Sequence, residues 1–412
     1  MSDPFESRWV PKPAHVTPIA DSLPAGFEAA AGSASIKPSG KPDLALIRCD
    51  APESVSSLRQ TRSSAAAAPV LVNRERLRSE SVRVAVVNSG NANAGTGEDG
   101  YGDALAIRSA AASALGVEED LVAVFSTGII GRRLDAQAVA AALPGIAERL
   151  GPNGAGELAE AILTTDRGPK SASLEVELSG GTVRLCAQAK GAGMIQPSFA
   201  TMLCFIQTDA KLSADTASLL LGATVRRSFE RISVDGQLST NDAVLLMASG
   251  ASGIAVEPES PDELRLGEAL DSLLRSLALQ IVADGEGAAR VARLVVEGGD
   301  DELVEHVART VAGSPLVKAA LNGGDPNWGR ILGAVGMALP DNPRLPIDIE
   351  IEGVPVCVAG SGVPHDERAL AAAVIRPEVE YLVRIPGSGA ACEVFFSDLS
   401  HEYVTINSEY TT

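Results

Sequence analysis

The sequence predicts an α+β fold, a mixed sandwich of helices on antiparallel sheet, in preference to a doubly wound parallel sheet. Two strand pairs predict it. Residues 174–178 and 183–187 are joined across Ser-Gly-Gly, and 347–351 and 355–359 across Glu-Gly-Val-Pro. Loops this tight connect antiparallel neighbours. The third observation is negative: no segment repeats at the period of a solenoid.

In chain order, short β-branched or apolar runs read as strands at residues 44–47, 82–87, 121–125, 174–178, 183–187, 202–206, 244–247, 347–351 and 394–396. Ala- and Leu-rich stretches at 103–115, 136–150, 213–231, 262–282 and 366–374 read as helices, with Ser213 and Asp366 in N-cap positions. The opening MSDPFESRWVPKPAH has no apolar core of a secretion signal and reads as a polar tail. Glu257–Glu263 (EPESPDE) reads as a surface loop.

With 412 residues the chain can bury a large core in two or three lobes. Aromatics are only 3%, which argues against base-stacking platforms and carbohydrate shelves. Lys and Arg number 34 against 53 Asp and Glu, a formal charge of −19. Such a surface repels phosphate backbones and anionic lipid, so neither nucleic acid nor membrane is expected as a partner, while a local basic pocket for a small acid stays open. No apolar run approaches the roughly eighteen residues of a membrane helix. The five cysteines (49, 186, 204, 357, 392) are scattered, with no C-x-x-C, so neither a metal site nor a disulfide framework is expected. A reduced, cytoplasmic setting fits.

Several motifs fail on inspection. Residues 95–100 satisfy G-x-G-x-x-G, but six residues separate them from the preceding strand, and the acids at 118–120 precede the next strand instead of closing it. Ser39-Gly-Lys-Pro lacks both the upstream glycine and the hydroxyl residue of a phosphate loop. No G-x-S-x-G occurs, and the four histidines (15, 306, 365, 401) are isolated. No bound cofactor is expected.

The segment Lys190-Gly-Ala-Gly-Met-Ile-Gln-Pro-Ser-Phe-Ala-Thr201-Met-Leu-Cys-Phe-Ile-Gln-Thr-Asp-Ala210 differs in kind. A Gly- and Pro-rich approach runs into an apolar strand with a threonine at the junction. Such a turn can hold the Ala200–Thr201 carbonyl against the Thr201 hydroxyl, as an N-to-O acyl shift requires. Hydrolysis would then leave Thr201 with a free α-amine of pKa about 7.7–8.0, a base fixed beside its own hydroxyl. Spacing alone favours a plain turn into a core strand, with Thr201 present for β-propensity.

This stretch resembles the ornithine acetyltransferase family, the bifunctional glutamate N-acetyltransferases of arginine biosynthesis. The resemblance runs from about residue 34 to 412 through IKPSGKPDLALI (36–47), NSGNANAGTG (88–97), FSTGIIGRRL (125–134), ILTTD (162–166), SVDGQLSTND (233–242), ADGEGAAR (283–290), SPLVKAALNGGDPNWGRILGAVG (314–336) and YVTINSEYTT (403–412). Residues 1–33 and 57–66 follow it less clearly.

The resemblance implies an αββα-type sandwich shared with self-processing aminopeptidases. It implies cleavage between Ala200 and Thr201 into an α chain (1–200, with a tail over about 1–33) and a β chain (201–412), joined as α2β2. Thr201 would carry acetyl from N-acetylornithine to glutamate, with Thr127 and Gly128 as the oxyanion hole. Lys190, Glu286, Asn407, Thr412 and either Thr164 or Thr165 would contact substrate. Arg167 departs from the family, which often carries threonine there. Asn322 and Asp325 are left as structural or site-shaping. Acetyl-CoA use stays open, as does the alternative of a self-processing aminopeptidase or amidase of the same fold, which would pass the acyl group to water.

Overall fold

The computed structural model describes residues 4–196, 202–339, 344, 346–387 and 389–409. The chain begins β1 (Val16–Ile19), β2 (Phe27–Gly32), β3 (Leu44–Cys49), β4 (Val55–Gln60), α1 (Ala68–Arg76), β5 (Val84–Asn91) and α2 (Gly97–Leu115). It continues β6 (Val122–Ile129), α3 (Ala136–Ala147), α4 (Ala155–Ala161), β7 (Lys170–Leu178), β8 (Gly181–Lys190) and β9 (Leu203–Thr208). Then come α5 (Ala214–Arg227), β10 (Ile232–Ser233), β11 (Ala243–Ala248) and α6 (Pro261–Ala283). The rest is β12 (Val291–Glu297), α7 (Asp301–Ala312), α8 (Pro315–Gly323), α9 (Trp328–Ala338), β13 (Asp348–Ile351), β14 (Val354–Val358), β15 (Ser361–Gly362), α10 (Glu367–Val374), β16 (Glu378–Arg384), β17 (Ala391–Ser397) and α11 (His401–Glu409).

Among the described residues these strands make three sheets. A six-stranded sheet runs β1-β7-β8-β9-β11-β4 and a four-stranded one β2-β3-β5-β6. They face each other through one apolar core that takes Ile47, Val87 and Phe125 from the smaller sheet and Leu203, Phe205 and Leu245 from the larger. Phe125 and Phe205 meet edge-on with ring centroids 5.2 Å apart, the arrangement that ring quadrupoles favour. The outer face of the larger sheet is covered by α5 and α6 through Leu221, Leu270 and Leu273. The smaller sheet is covered by α1, α2 and α3 through Val72, Ile107 and Val139. The layers therefore run helix, sheet, sheet, helix, as the αββα expectation has it. A seven-stranded sheet, β10-β17-β12-β16-β13-β14-β15, forms a further lobe with α7 and α9 packed on it through Val304, Val307, Ile331 and Val335.

Both expected hairpins are present: β7 pairs antiparallel with β8, and β13 with β14. The second turns at Glu352 and Gly353, both at positive φ (+51° and +73°), the handedness that matches strand twist. Ser213 and Asp366 cap their helices, Ser213 accepting from Thr216 N and Asp366 from Arg368 N and Ala369 N. The helix expected over 213–231 stops at Arg227, and a 3-10 turn (Phe229–Arg231) follows.

The expected tail over about 1–33 is corrected within residues 4–33. Trp9 packs on Phe395 at 5.6 Å and donates from Nε1 to Glu380 at 3.1 Å. β1 pairs with β7, and β2 with β3. These strands escape a reading by β-propensity because they are short, one carries Pro18 and the other is mostly Ala and Gly. β4, β12 and β16 were also not expected; β4 is Ser-bearing (VSSLRQ), and the other two are interrupted by charges (VARLVVE, EVEYLVR).

Phe205→Ala should leave a cavity where the two sheets meet and lower stability by about 3–5 kcal/mol. Urea unfolding of the purified chain measures this, and a loss below about 1 kcal/mol would mean that the sheets are not held together through this ring.

Candidate active site

Alternation along the strands brings residues to one end of the sandwich. Phe125 of β6 faces the inter-sheet core, so Thr127, two residues on, projects from the same face at the strand's end. Cys186 of β8 faces that core too, and Lys190 follows at the same parity as the last residue of β8. Thr127 and Lys190 are both buried, at 5% and 3% exposure. The Lys190 ammonium donates to Thr127 Oγ1 at 3.2 Å and to Thr164 Oγ1 at 2.7 Å, and lies 3.8 Å from Asp166 Oδ2. A lysine so placed spends two of its donors on these hydroxyls and leaves each threonine its own proton to give elsewhere.

Asp166 is the counter-charge. Its fully buried side chain also accepts from Gly191 N at 2.7 Å and Thr164 N at 3.0 Å, and pairs with Lys170 Nζ at 2.7 Å. Burial alone would raise its pKa, but Lys190 and Lys170 outweigh burial and hold the carboxyl well below the usual carboxylate range. Burial lowers the pKa of Lys190, opposed chiefly by Asp166. Lys170 also binds Asp284, which accepts from Arg167 Nε at 2.9 Å. Arg167 thus ties the loop after α4 to the loop after α6; its guanidinium also reaches Ala283 O and Ala288 O.

That second loop carries Glu286. Its N–H donates to Ala192 O at 2.9 Å, and its carboxylate accepts from Asn407 Nδ2 of α11 at 2.7 Å. Gly193 makes this possible, because a Cβ there would stand 2.7 Å from Glu286 Oε1. Next in sequence, Met194 takes a left-handed φ of +55°, unusual for a residue with a side chain. Asp235 stabilises it, accepting from Met194 N at 2.7 Å and Ile195 N at 2.9 Å. Gly128 is required for a comparable reason: at φ +132° its Cβ would lie 2.3 Å from the backbone carbon of Gly90 on the neighbouring strand.

Asp242 Oδ1 accepts from Met202 N at 2.9 Å, one residue beyond the expected cleavage point, while its Oδ2 is buried without a partner among the described residues. Burial raises the pKa of this carboxyl well above its ordinary value. Lys37 sits near enough to feel both Lys190 and Asp166; burial brings its pKa down to about 8, and it donates to Pro42 O at 2.8 Å and Ala161 O at 3.2 Å.

The structure therefore gathers Thr127, Gly128, Thr164 and Lys190, with Glu286 and Asn407 beside them across Gly193. Of the two candidate threonines, Thr164 meets Lys190, and the Thr165 side chain makes no hydrogen bond among the described residues. Ala200, Thr201 and Thr412 lie outside the described residues. Asn322 donates to Asp398 at 2.7 Å and Asp325 accepts from Asn327 at 3.0 Å, so both serve the junctions around α8 and α9. Sequence reasoning missed Asp166, Lys170, Asp235 and Asp242. The three aspartates stood in quoted stretches (ILTTD, SVDG, STND), where an Asp beside Gly, Ser or Thr reads as a turn residue.

Comparison with known proteins adds to this geometry. Residues 28–412 match the ArgJ family. The chain is 42% identical over 392 residues to the arginine biosynthesis bifunctional protein ArgJ of Methylococcus capsulatus, covering 94% of this chain and 96% of that protein. The protein of the same description from Symbiobacterium thermophilum is 39% identical over 395 residues, covering 95% and 98%. Among solved structures, ornithine acetyltransferase from Mycobacterium tuberculosis, complexed with ornithine, is 36% identical, with a TM-score of 0.41 over 44% of this chain and 98% of that one.

Asp166→Asn should cost about 3–5 kcal/mol, because it strands two buried ammonium groups. The depressed Asp166 pKa contributes stability that is present above the unfolded value of about 3.9 and lost as pH falls below it. The variant's urea midpoint should accordingly fall less steeply than the wild-type midpoint between pH 5 and about 3. Parallel profiles would show that this carboxylate is not ionised against the lysines.

Proposed function

The chain belongs to the ArgJ family, and on that premise we propose that it is an acetyltransferase of arginine biosynthesis that moves acetyl from N-acetylornithine to glutamate through Thr201. The observation that carries the site assignment is Lys190, whose ammonium holds two threonine hydroxyls at the sandwich end from which the 191–201 segment departs. Leu203 lies opposite Lys190 in the β8–β9 register, and Thr201 stands two positions before it in sequence.

Cleavage between Ala200 and Thr201 would give Thr201 a free α-amine as its base. The hydroxyl oxygen then bonds to the acetyl carbon of N-acetylornithine, its proton passing to the amine. The tetrahedral intermediate places negative charge on the former carbonyl oxygen. Thr127 Oγ1 already accepts from Lys190, so its proton is free for that oxygen alongside the Gly128 N–H. A donor of this kind contributes about 3–4 kcal/mol to the transition state. Collapse breaks the carbon–nitrogen bond, the amine returns the proton, and ornithine leaves. The amine of glutamate bonds to the acetyl carbon of the threonine ester and gives its proton to the Thr201 amine, which passes it to the departing oxygen as the carbon–oxygen bond breaks, restoring the hydroxyl and releasing N-acetylglutamate.

Glu286 offers a carboxylate to the cationic side chain of ornithine, with Asn407 fixing its orientation. Acetyl-CoA as a second donor is supported by the description of the relatives as bifunctional. An α2β2 assembly of the two fragments is the proposed mature form.

Mass spectrometry of the purified protein should find two fragments, the second beginning at Thr201, and Thr201→Ala should give one uncut and inactive chain. Supplied with N-acetylornithine and glutamate, the mature enzyme should form N-acetylglutamate. Free acetate in its place would identify a hydrolase. Glu286→Gln should raise KM for N-acetylornithine about 10–100-fold, the loss of one hydrogen bond to a charged group, with processing intact. An unchanged KM would remove Glu286 from the ornithine subsite.

A further inference from the structure

A cavity of about 560 Å³ opens beside the sheet edge, between β4, α5 and α1, and the chemistry above does not use it. Four arginines line it, Arg59, Arg62, Arg74 and Arg226, against a single acid, Glu230. In a chain of net charge −19 this local balance is the reverse of the whole. Among the described residues Glu230 forms its ion pair with Arg62, at 3.9 Å. Like charges gathered around one cavity repel, and a planar guanidinium fork suits phosphate oxygens.

A second observation points to a missing acceptor. Among the described residues Arg59 Nε and Gln60 Nε2 are buried donors with no hydrogen-bond partner, and both residues line this cavity. The place of Arg59 is built: its Nη2 donates to Ser218 O at 3.4 Å, and a Cβ on Gly222 would come within 2.7 Å of that nitrogen. Buried donors are ordinarily paired, by protein, water or ligand.

The cavity is tied to the candidate active site. Gln60 registers with Ala243, Ala243 with Leu203, and Leu203 with Lys190. Three strand spacings of about 4.8 Å put Gln60 roughly 14 Å from Lys190 across the sheet. Thr61 donates from Oγ1 to Ser239 O at 3.0 Å and from N to Asp242 O at 2.9 Å, so it joins the cavity wall to the residue that holds Met202 N.

We infer that this cavity is a binding site for a ligand carrying a diphosphate or a comparable cluster of phosphate groups. Two sources share that chemistry: the diphosphate of coenzyme A, whose pantetheine arm would extend toward Lys190, and free pyrophosphate. The coenzyme source alone rests on the reading of acetyl-CoA as a donor; the anion site does not.

The test is titration calorimetry of the mature enzyme with pyrophosphate, and of the Arg62→Ala/Arg226→Ala variant, whose substitutions lie on exposed rims. Acetyl transfer from N-acetylornithine to glutamate is assayed alongside as a check on folding. One saturable pyrophosphate per site is expected, at least tenfold weaker in the variant and weakened by salt, with unliganded transfer unchanged. Coenzyme A that competes with pyrophosphate, with a raised KM for acetyl-CoA in the variant, assigns the coenzyme source. Competition absent, the free anion is the ligand. No saturable binding, or equal affinity in both proteins, overturns the site. So does a variant whose assembly falls apart in light scattering while pyrophosphate affinity holds, since the arginines would then serve a subunit contact. Failed transfer with intact pyrophosphate binding would sink the acetyltransferase reading and leave the anion site standing.

Discussion

The end of the sandwich is organised around an ammonium removed from water. Lys190 is held by Asp166, which also binds Lys170, and Lys170 is shared with Asp284, which Arg167 engages in turn. Charges alternate along this chain, so each buried ion has an opposite neighbour and the cost of desolvation is met locally. The chain also links loops from separate parts of the sequence: 164–168 after α4, 190–193 after β8 and 283–288 after α6. Without it, the loop bearing Glu286 would have little reason to lie against the end of β8.

Close backbone approach is the second constraint, and it explains residues that carry no chemistry themselves. Gly128 lets β6 and β5 come together where the proposed oxyanion N–H must point, and Gly193 leaves the space that the Glu286 carboxylate fills. Met194 is the opposite case, a side-chain residue in a left-handed conformation costing about 1–2 kcal/mol. Asp235 offsets this with two backbone bonds. The stretch after Lys190 is thus shaped, as far as Ile195, by groups outside the segment itself.

What the sequence disclosed followed physical legibility. The 174–187 hairpin announced itself because two β-branched runs flank a Gly-rich turn, whereas β1 and β2 hid because Pro18 and a run of alanines do not look like strand. Alternation was visible in β16 (EVEYLVR), but its charges disguised it. In the site, Lys190 and Glu286 were ordinary solvated residues by spacing and were singled out only by family resemblance. Asp166 could not have been picked by either route. Its role comes from burial between two lysines, one of them twenty-four positions away (190 against 166), a property of the fold. The NSGNANAGTG stretch is similar: Asn93 and Asn241 spend their amides on Gly100 O and Ala92 O, bracing the neighbourhood of Thr127.

On the acetyl-transfer reading, one site must accept two amino acids whose side chains carry opposite charge. A carboxylate at Glu286 attracts the ornithine ammonium and repels the glutamate carboxylate, so it cannot serve both in the same state. On that reading Asn407 would offer the second substrate a donor with no change in protonation. Its amide now donates to Glu286 Oε2, and the same donor can turn to an incoming carboxylate, since an amide offers both a donor and an acceptor end. α11, which bears Asn407, has no buried residue and is held at its start by Ser400 on Gly287 O. On that reading Glu286, whose loop is tied to Ala192 O, would be the acidic half of the subsite, and Asn407 the amide half, carried on an exposed helix.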